Sequence, residues 1–158
     1  MTRTPPIILG ILAISVTTTL AAQFTPRALM PPEELIQYRQ AGYRFMKWNM
    51  ERIKINLNRE YNQDQVIAAA NAVAAIANSG MGALYLPGTE EDIGDVETDV
   101  KPSFFKNAED VARLARNFIA AANELAETAK TGDRGDVYTA FGDVAESCKA
   151  CHDKYRED

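Results

Sequence analysis

The sequence predicts an all-α chain, an antiparallel four-helix bundle, on three observations. Four stretches repeat apolar residues at spacings of three and four, joined mostly by short connections. No convincing period-two run marks a strand. A length of 158 residues, 46% hydrophobic and 25% charged, is ordinary for one folded domain. The formal net charge of -5 argues against nucleic-acid binding, which needs a clustered basic surface.

The first helix is expected from Pro31 to Leu57. Pro31-Pro32 preset its start, and Glu33-Glu34 put negative charge on the first turn, where the helix dipole favours it. Ile36, Tyr43, Met50 and Leu57 recur every seven residues, with Arg39, Met46 and Ile53 on the same face, a seam for packing against other helices. Asn62 to Gln65 reads as a capping box opening a second helix that runs to about Asn78, with Val66, Ala69, Val73 and Ile76 on one face and Gly80 and Gly82 beyond it. Residues 80–105 read as a long connection with a turn at Pro87-Gly88 and an acidic run from Glu90 to Asp99. That run has no calcium-ligand spacing and reads as a solvated loop. A loop of this length is commonly functional or packed on itself. The third helix is expected over 107–130 and ends at Gly132. The fourth starts near Asp136 and continues to the chain end, with Val137, Phe141, Val144, Cys148, Cys151 and Tyr155 along one side.

Residues 1–22 stand apart. Arg3 is the only charge before a short apolar run, Ile7 to Val16, followed by three threonines and Ala21-Ala22. This is the layout of a secretory signal peptide, cleaved after Ala22 or after Ala21. An uncleaved anchor is the alternative, but a membrane span needs about 20 apolar residues and this run is far shorter. The expected organisation is a signal peptide, 1–22, and a bundle domain, 23–158, exported in a bacterium to the periplasm and free of the membrane after cleavage. Free thiols are unusual in that oxidising compartment, so the two cysteines should be consumed.

They sit with the only histidine of the chain in Cys148-Lys149-Ala150-Cys151-His152, a C-x-x-C-H sequence. This is the attachment signature of c-type haem. On a helix, spacings of three and four project all three side chains from about one side. Two thiols can then join the two vinyl groups of one porphyrin edge while the imidazole ligates the iron. One haem c per chain is expected, bound through Cys148 and Cys151, with His152 on the metal. A redox-active C-x-x-C opens a helix beside a βαβ unit, which is absent here. A bare disulfide would leave His152 unexplained.

Around this motif the chain resembles the cytochrome c prime family, the class II c-type cytochromes. The resemblance is carried by Tyr38-Arg39-Gln40, by Leu86-Pro87-Gly88-Thr89-Glu90, and by Phe141-Gly142-Asp143-Val144 running on through Cys148–His152 to Asp153 and Tyr155-Arg156. The stretch from Glu91 to Lys101 departs from it in length and acidity. The resemblance implies a five-coordinate, high-spin iron with His152 on one side and no protein ligand on the other. It implies that Tyr43 crowds the open, distal side; the alternative is a tyrosine that only packs there. It implies that Arg39 meets a haem propionate, unless the helix register is off by one and Arg39 lies in solvent. Arg156 would lie beside His152 on the proximal side, or else be a solvated terminal arginine. It also implies a homodimer through the first two helices, which would bury Phe45 and Trp48; otherwise the two are exposed on a monomer.

Three functions compete. The first is a periplasmic haem protein that binds small diatomic gases, chiefly nitric oxide and also carbon monoxide, as a buffer or scavenger. The second is an electron carrier for a periplasmic redox partner, the leading reading if Met46 supplies a thioether as sixth ligand in a low-spin variant of the same fold. A methionine on a helical seam is more often core filler. The third, an enzyme, has no support from a second histidine or a placed acid-base pair, and leaves room only for slow redox chemistry on bound nitric oxide.

Overall fold

The computed structural model describes residues 30–157, so the expected signal segment and its cleavage point lie outside the described residues. The elements are α1 (Pro32–Asn58), α2 (Gln63–Ala77), a single turn α3 (Ser103–Lys106), α4 (Ala108–Ala129) and α5 (Arg134–Tyr155). α1, α2, α4 and α5 form the antiparallel four-helix bundle. Among the described residues no helix is long and apolar enough to cross a membrane.

The helix ends are tied to one another. Pro31 opens α1, its carbonyl accepting from the N–H groups of Glu34 and Leu35. At α2, Asn62 Oδ1 accepts from the Gln65 N–H at 3.0 Å, the first half of the expected capping box. The second half is replaced by Asn56 on the last turns of α1. Asn56 Oδ1 accepts from the Asn62 N–H at 3.0 Å, and its amide donates to Gln65 Oε1 at 3.3 Å. α5 starts at Arg134 rather than Asp136, because Asp133 is its cap and accepts from the N–H groups of Gly135 and Asp136. Arg134 Nε donates to the Leu57 carbonyl at 3.1 Å and satisfies the open end of α1.

The core is built from Ile53, Leu57, Val66, Val73, Leu125, Val137 and Val144. Where α2 meets α4 the buried positions are largely alanine: Ala69, Ala70 and Ala77 on one, Ala122, Ala126 and Ala129 on the other. Small side chains on both faces let two helices approach closely. The seam expected on α1 is buried at Ile36, Arg39, Met46, Ile53 and Leu57, half-buried at Met50 and open at Tyr43.

α1 packs on α2, α2 on α4 and α4 on α5, while α1 and α5 touch only sparsely. The connection between α2 and α4 is packed rather than structureless. It holds a 3-10 turn over Met81–Leu84, a bridge between Ile93 and Val96, and α3. A second bridge joins Val100 to Arg156, so α5 stops at Tyr155 and the chain turns extended.

Candidate functional site

The site lies on the sparsely joined α1–α5 side. α5 brings Cys148, Cys151 and His152 to one stretch of surface. Both thiols are free and half-buried, and Cys148 packs against the core. Burial pushes both thiols up from their ordinary value, Cys148 further raised by Cys151 and Cys151 by Asp110. Two thiols three positions apart, both raised by burial, are the donors that thioether attachment needs. The His152 imidazole is lowered, first by desolvation of the ring and then by the Arg156 charge, with Asp153 opposing. A neutral imidazole is the form that ligates a metal.

Across from α5, α1 contributes Arg39 and Tyr43. Tyr43 is 41% exposed overall. Desolvation of its hydroxyl end is nevertheless the main reason its phenol is raised, and both thiols lie within charge range of it. Its hydroxyl accepts a hydrogen bond from Tyr85 Oη at 3.2 Å. Burial pushes the Tyr85 phenol strongly upward. The Tyr85 ring is stacked on Phe104 at 4.5 Å and carries the Arg39 guanidinium 4.7 Å from its centre.

Arg39 is 2% exposed, so it does not lie in solvent. Nη1 donates to Thr89 Oγ1 at 2.7 Å, and Nη2 donates to the Thr89 carbonyl and to Thr98 Oγ1, both at 2.5 Å. Thr89 is presented by a turn over Leu86–Thr89, with Pro87 at its second position and Gly88 at its third. The Gly88 φ of 94° is open to glycine at little cost. Among the described residues no carboxylate bonds Arg39; Glu90 acts on it only through space.

Met46, one turn from Tyr43, is 4% exposed within the core. On the far side of His152, Arg156 Nη2 pairs with Asp99 Oδ2 at 3.1 Å, so Arg156 is exposed but tethered. A shallow pocket of ≈ 220 Å³ there is lined by His152, Asp153, Arg156 and Glu157.

Sequence reasoning missed Tyr85, Thr98, Phe104 and Asp110 as parts of this neighbourhood. Thr89 alone carried a signal, inside the Leu86–Glu90 motif. Asp110 Oδ2 accepts from Tyr155 Oη at 2.8 Å and from Lys154 Nζ at 3.0 Å, anchoring the end of α5 to the start of α4.

A four-helix bundle whose last helix carries C-x-x-C-H, with a first-helix tyrosine within charge range of its thiols, defines a c-type cytochrome of the helical-bundle class. A family model described as Cytochrome C' matches residues 34–156, and the chain belongs to that family. It is 58% identical over 147 residues to cytochrome c' of Allochromatium vinosum, covering 93% of this chain and 92% of that one. A solved cytochrome c' described as having an unusual ligand-controlled dimer dissociation is 63% identical, with a TM-score of 0.81 over 82% of this chain and 98% of its own. A nitric oxide complex of a variant cytochrome c prime from Alcaligenes xylosoxidans is 29% identical, with a TM-score of 0.70 over 80% of this chain and 97% of its own. The family is one of haem-binding proteins and not of enzymes.

Proposed function

We propose that this chain is a periplasmic gas-binding haem protein whose iron is left without a protein ligand on the Tyr43 side. One haem c would be held through Cys148 and Cys151, with His152 as the axial ligand. When bound, the haem supplies a ligand site for small neutral diatomics, nitric oxide above all and carbon monoxide as its laboratory probe. The chain's own residues shape that site. Tyr43 narrows the approach and offers a hydroxyl. Arg39, a buried cation with no carboxylate bonded to it, suits a haem propionate, since an unpaired buried charge is costly. Arg156 shields the far side of His152. Buffering or scavenging of nitric oxide is the role that fits, and transfer of electrons to a periplasmic partner is compatible with the same site.

The observation that carries this reading is the contrast between Tyr43 and Met46. The Tyr43 phenol lies within charge range of both thiols, while the Met46 thioether, one turn along α1, is sealed in the core. That favours an open iron over the Met46-ligated, low-spin electron carrier. The nitric oxide complex of the Alcaligenes xylosoxidans variant supports the choice of gas. The dimer described for the 63% identical relative supports a homodimer here; its placement through α1 and α2 is part of the proposal.

The test is the optical spectrum of the ferrous holoprotein before and after carbon monoxide. Broad, unsplit bands that sharpen with the gas are expected. Sharp, split α and β bands indifferent to the gas would overturn the reading and point to Met46.

A further inference from the structure

We infer that Tyr85 is a latch on the distal side: its hydroxyl holds Tyr43 in place and so sets how fast a gas molecule reaches the iron. The inference rests on the reading of Tyr43 as distal guard and adds the residue that controls the guard.

The geometry makes one partner a fixed post and the other a moving part. Tyr85 cannot easily follow Tyr43, because its ring is stacked on Phe104 at 4.5 Å and an interplanar angle of 22°. The Arg39 guanidinium, itself bonded to Thr89 and Thr98, also lies over that ring, 4.7 Å from its centre. Phe104 in turn meets Tyr155 edge-on at 5.9 Å, which ties the post to α5. Tyr43 is the more open of the two, and the bond from Tyr85 is the only hydrogen bond to its side chain among the described residues. A ligand passing Tyr43 has to turn that ring, and turning it breaks this bond. Each hydroxyl can donate or accept, so once the bond opens the Tyr43 proton can be offered elsewhere, for instance to a bound diatomic.

The experiment is carbon monoxide rebinding after flash photolysis in the ferrous holoprotein, with Tyr85→Phe, Tyr43→Phe and the double variant. Tyr85→Phe keeps the ring and its stack and removes only the hydroxyl. Loss of one hydrogen bond is expected to raise the association rate about fivefold. The double variant should be no faster than Tyr43→Phe alone, since both single changes break the same bond. A crystal structure of the gas-free Tyr85→Phe protein gives a readout independent of binding: Tyr43 should leave its position while Phe104 keeps its own. An unchanged rate in Tyr85→Phe, additive effects in the double variant, or an unmoved Tyr43 would each overturn the latch. If Tyr43→Ala, which removes the ring, leaves the rate unchanged, the guard reading fails and the latch with it. If Tyr43→Ala raises the rate and Tyr85→Phe does not, only the latch falls.

Discussion

Arg39 bonds Thr89 twice, at the hydroxyl and at the carbonyl oxygen, and thereby fastens the Leu86–Glu90 turn to the first helix. The same loop is fastened at its far end by Asp99, which pairs with Arg156 and accepts the Glu157 N–H through its carbonyl at 2.8 Å. One acidic loop is thus strapped between an arginine on the Tyr43 side and an arginine beside His152. Its charges are carried outward, and its backbone is held inward by these two points and by Gln40, whose amide donates to the Glu97 carbonyl at 2.8 Å.

Arg39→Leu should therefore release the loop. Three hydrogen bonds to a buried cation disappear, and the Thr89 hydroxyl loses a donor. A loss of about 3 kcal/mol in urea unfolding is expected, at roughly 1 kcal/mol or more per bond. Limited digestion with a glutamate-specific protease should cut the variant faster, at Glu90, Glu91 or Glu97. Arg39→Lys keeps the charge but cannot reach all three acceptors at once, and should fall between the two. An unfolding midpoint for Arg39→Leu equal to that of the parent would remove the strap.

Asp110 gives the acid limb of stability. Its carboxyl is held well below the ordinary carboxylate range, first by the hydrogen bond from Arg113, then by those from Tyr155 and Lys154. A carboxyl lowered on folding stabilises the native state fully above its unfolded value, about pH 4. That contribution is lost as pH falls below this value toward the native one. Asp110→Asn should lower the melting temperature at neutral pH, and the gap to the parent should close as pH drops from about 5 toward about 2. The Tyr155 phenol, raised chiefly by its bond to Asp110, should titrate lower in the variant. Melting curves of both proteins across that range decide it. A gap independent of pH would mean that the ionised carboxylate is not the stabilising group.

The helices were legible because periodicity is a local property. The expected stretches over 31–57, 62–78 and 107–130 lie within a residue of α1, α2 and α4. α5 differed at both ends for physical reasons. Its start depends on which of two nearby aspartates caps it, and Asp133 does. Its end depends on the pairing of Arg156 with Val100, a contact no helical pattern announces. The C-x-x-C-H residues were legible because their chemistry fixes their spacing. Tyr85 was not, since its meaning comes from Tyr43 across the bundle and Phe104 in another turn. The Arg39 partners were half legible. The cost of burying a guanidinium demanded hydrogen bonds, but nothing in the sequence named Thr89 and Thr98.

Two glycines should respond oppositely to alanine. Gly132 has φ 78°, and a Cβ there would stand 2.8 Å from Gln63 Nε2. That amide donates to the Lys130 carbonyl at 3.2 Å, joining the start of α2 to the end of α4. Gly132→Ala should cost about 1 kcal/mol from backbone strain, and more where Gln63 must give up its bond. Gly142 lies inside α5 with open space around its Cβ position. Gly142→Ala should gain about 0.5–1 kcal/mol from helix propensity. Urea unfolding of the two variants should bracket the parent, and a stabilised Gly132→Ala would mean the left-handed turn is not needed.

The outer face of α1 offers the test of the proposed dimer. Phe45 and Trp48 are 52% and 53% exposed, with rings stacked at 5.5 Å, and Tyr38 and Ile55 extend the same stripe. The Arg52 guanidinium covers the Trp48 ring at 4.8 Å. An exposed, self-ordered aromatic stripe beside a polar rim is what a symmetric interface needs, because the same patch serves both subunits. Trp48→Glu would put two carboxylates face to face across such an interface. It should weaken the dimer at least about tenfold, the loss expected for a central aromatic. Because Trp48 lies on the outer face of α1, the ferrous spectrum should not change. Tyr138→Glu, at a still more exposed aromatic on α5, serves as the control and should sediment like the parent. Sedimentation velocity over a range of concentrations separates the outcomes. A shift toward monomer in Trp48→Glu alone puts the interface on α1, and equal sedimentation of all three proteins puts it elsewhere.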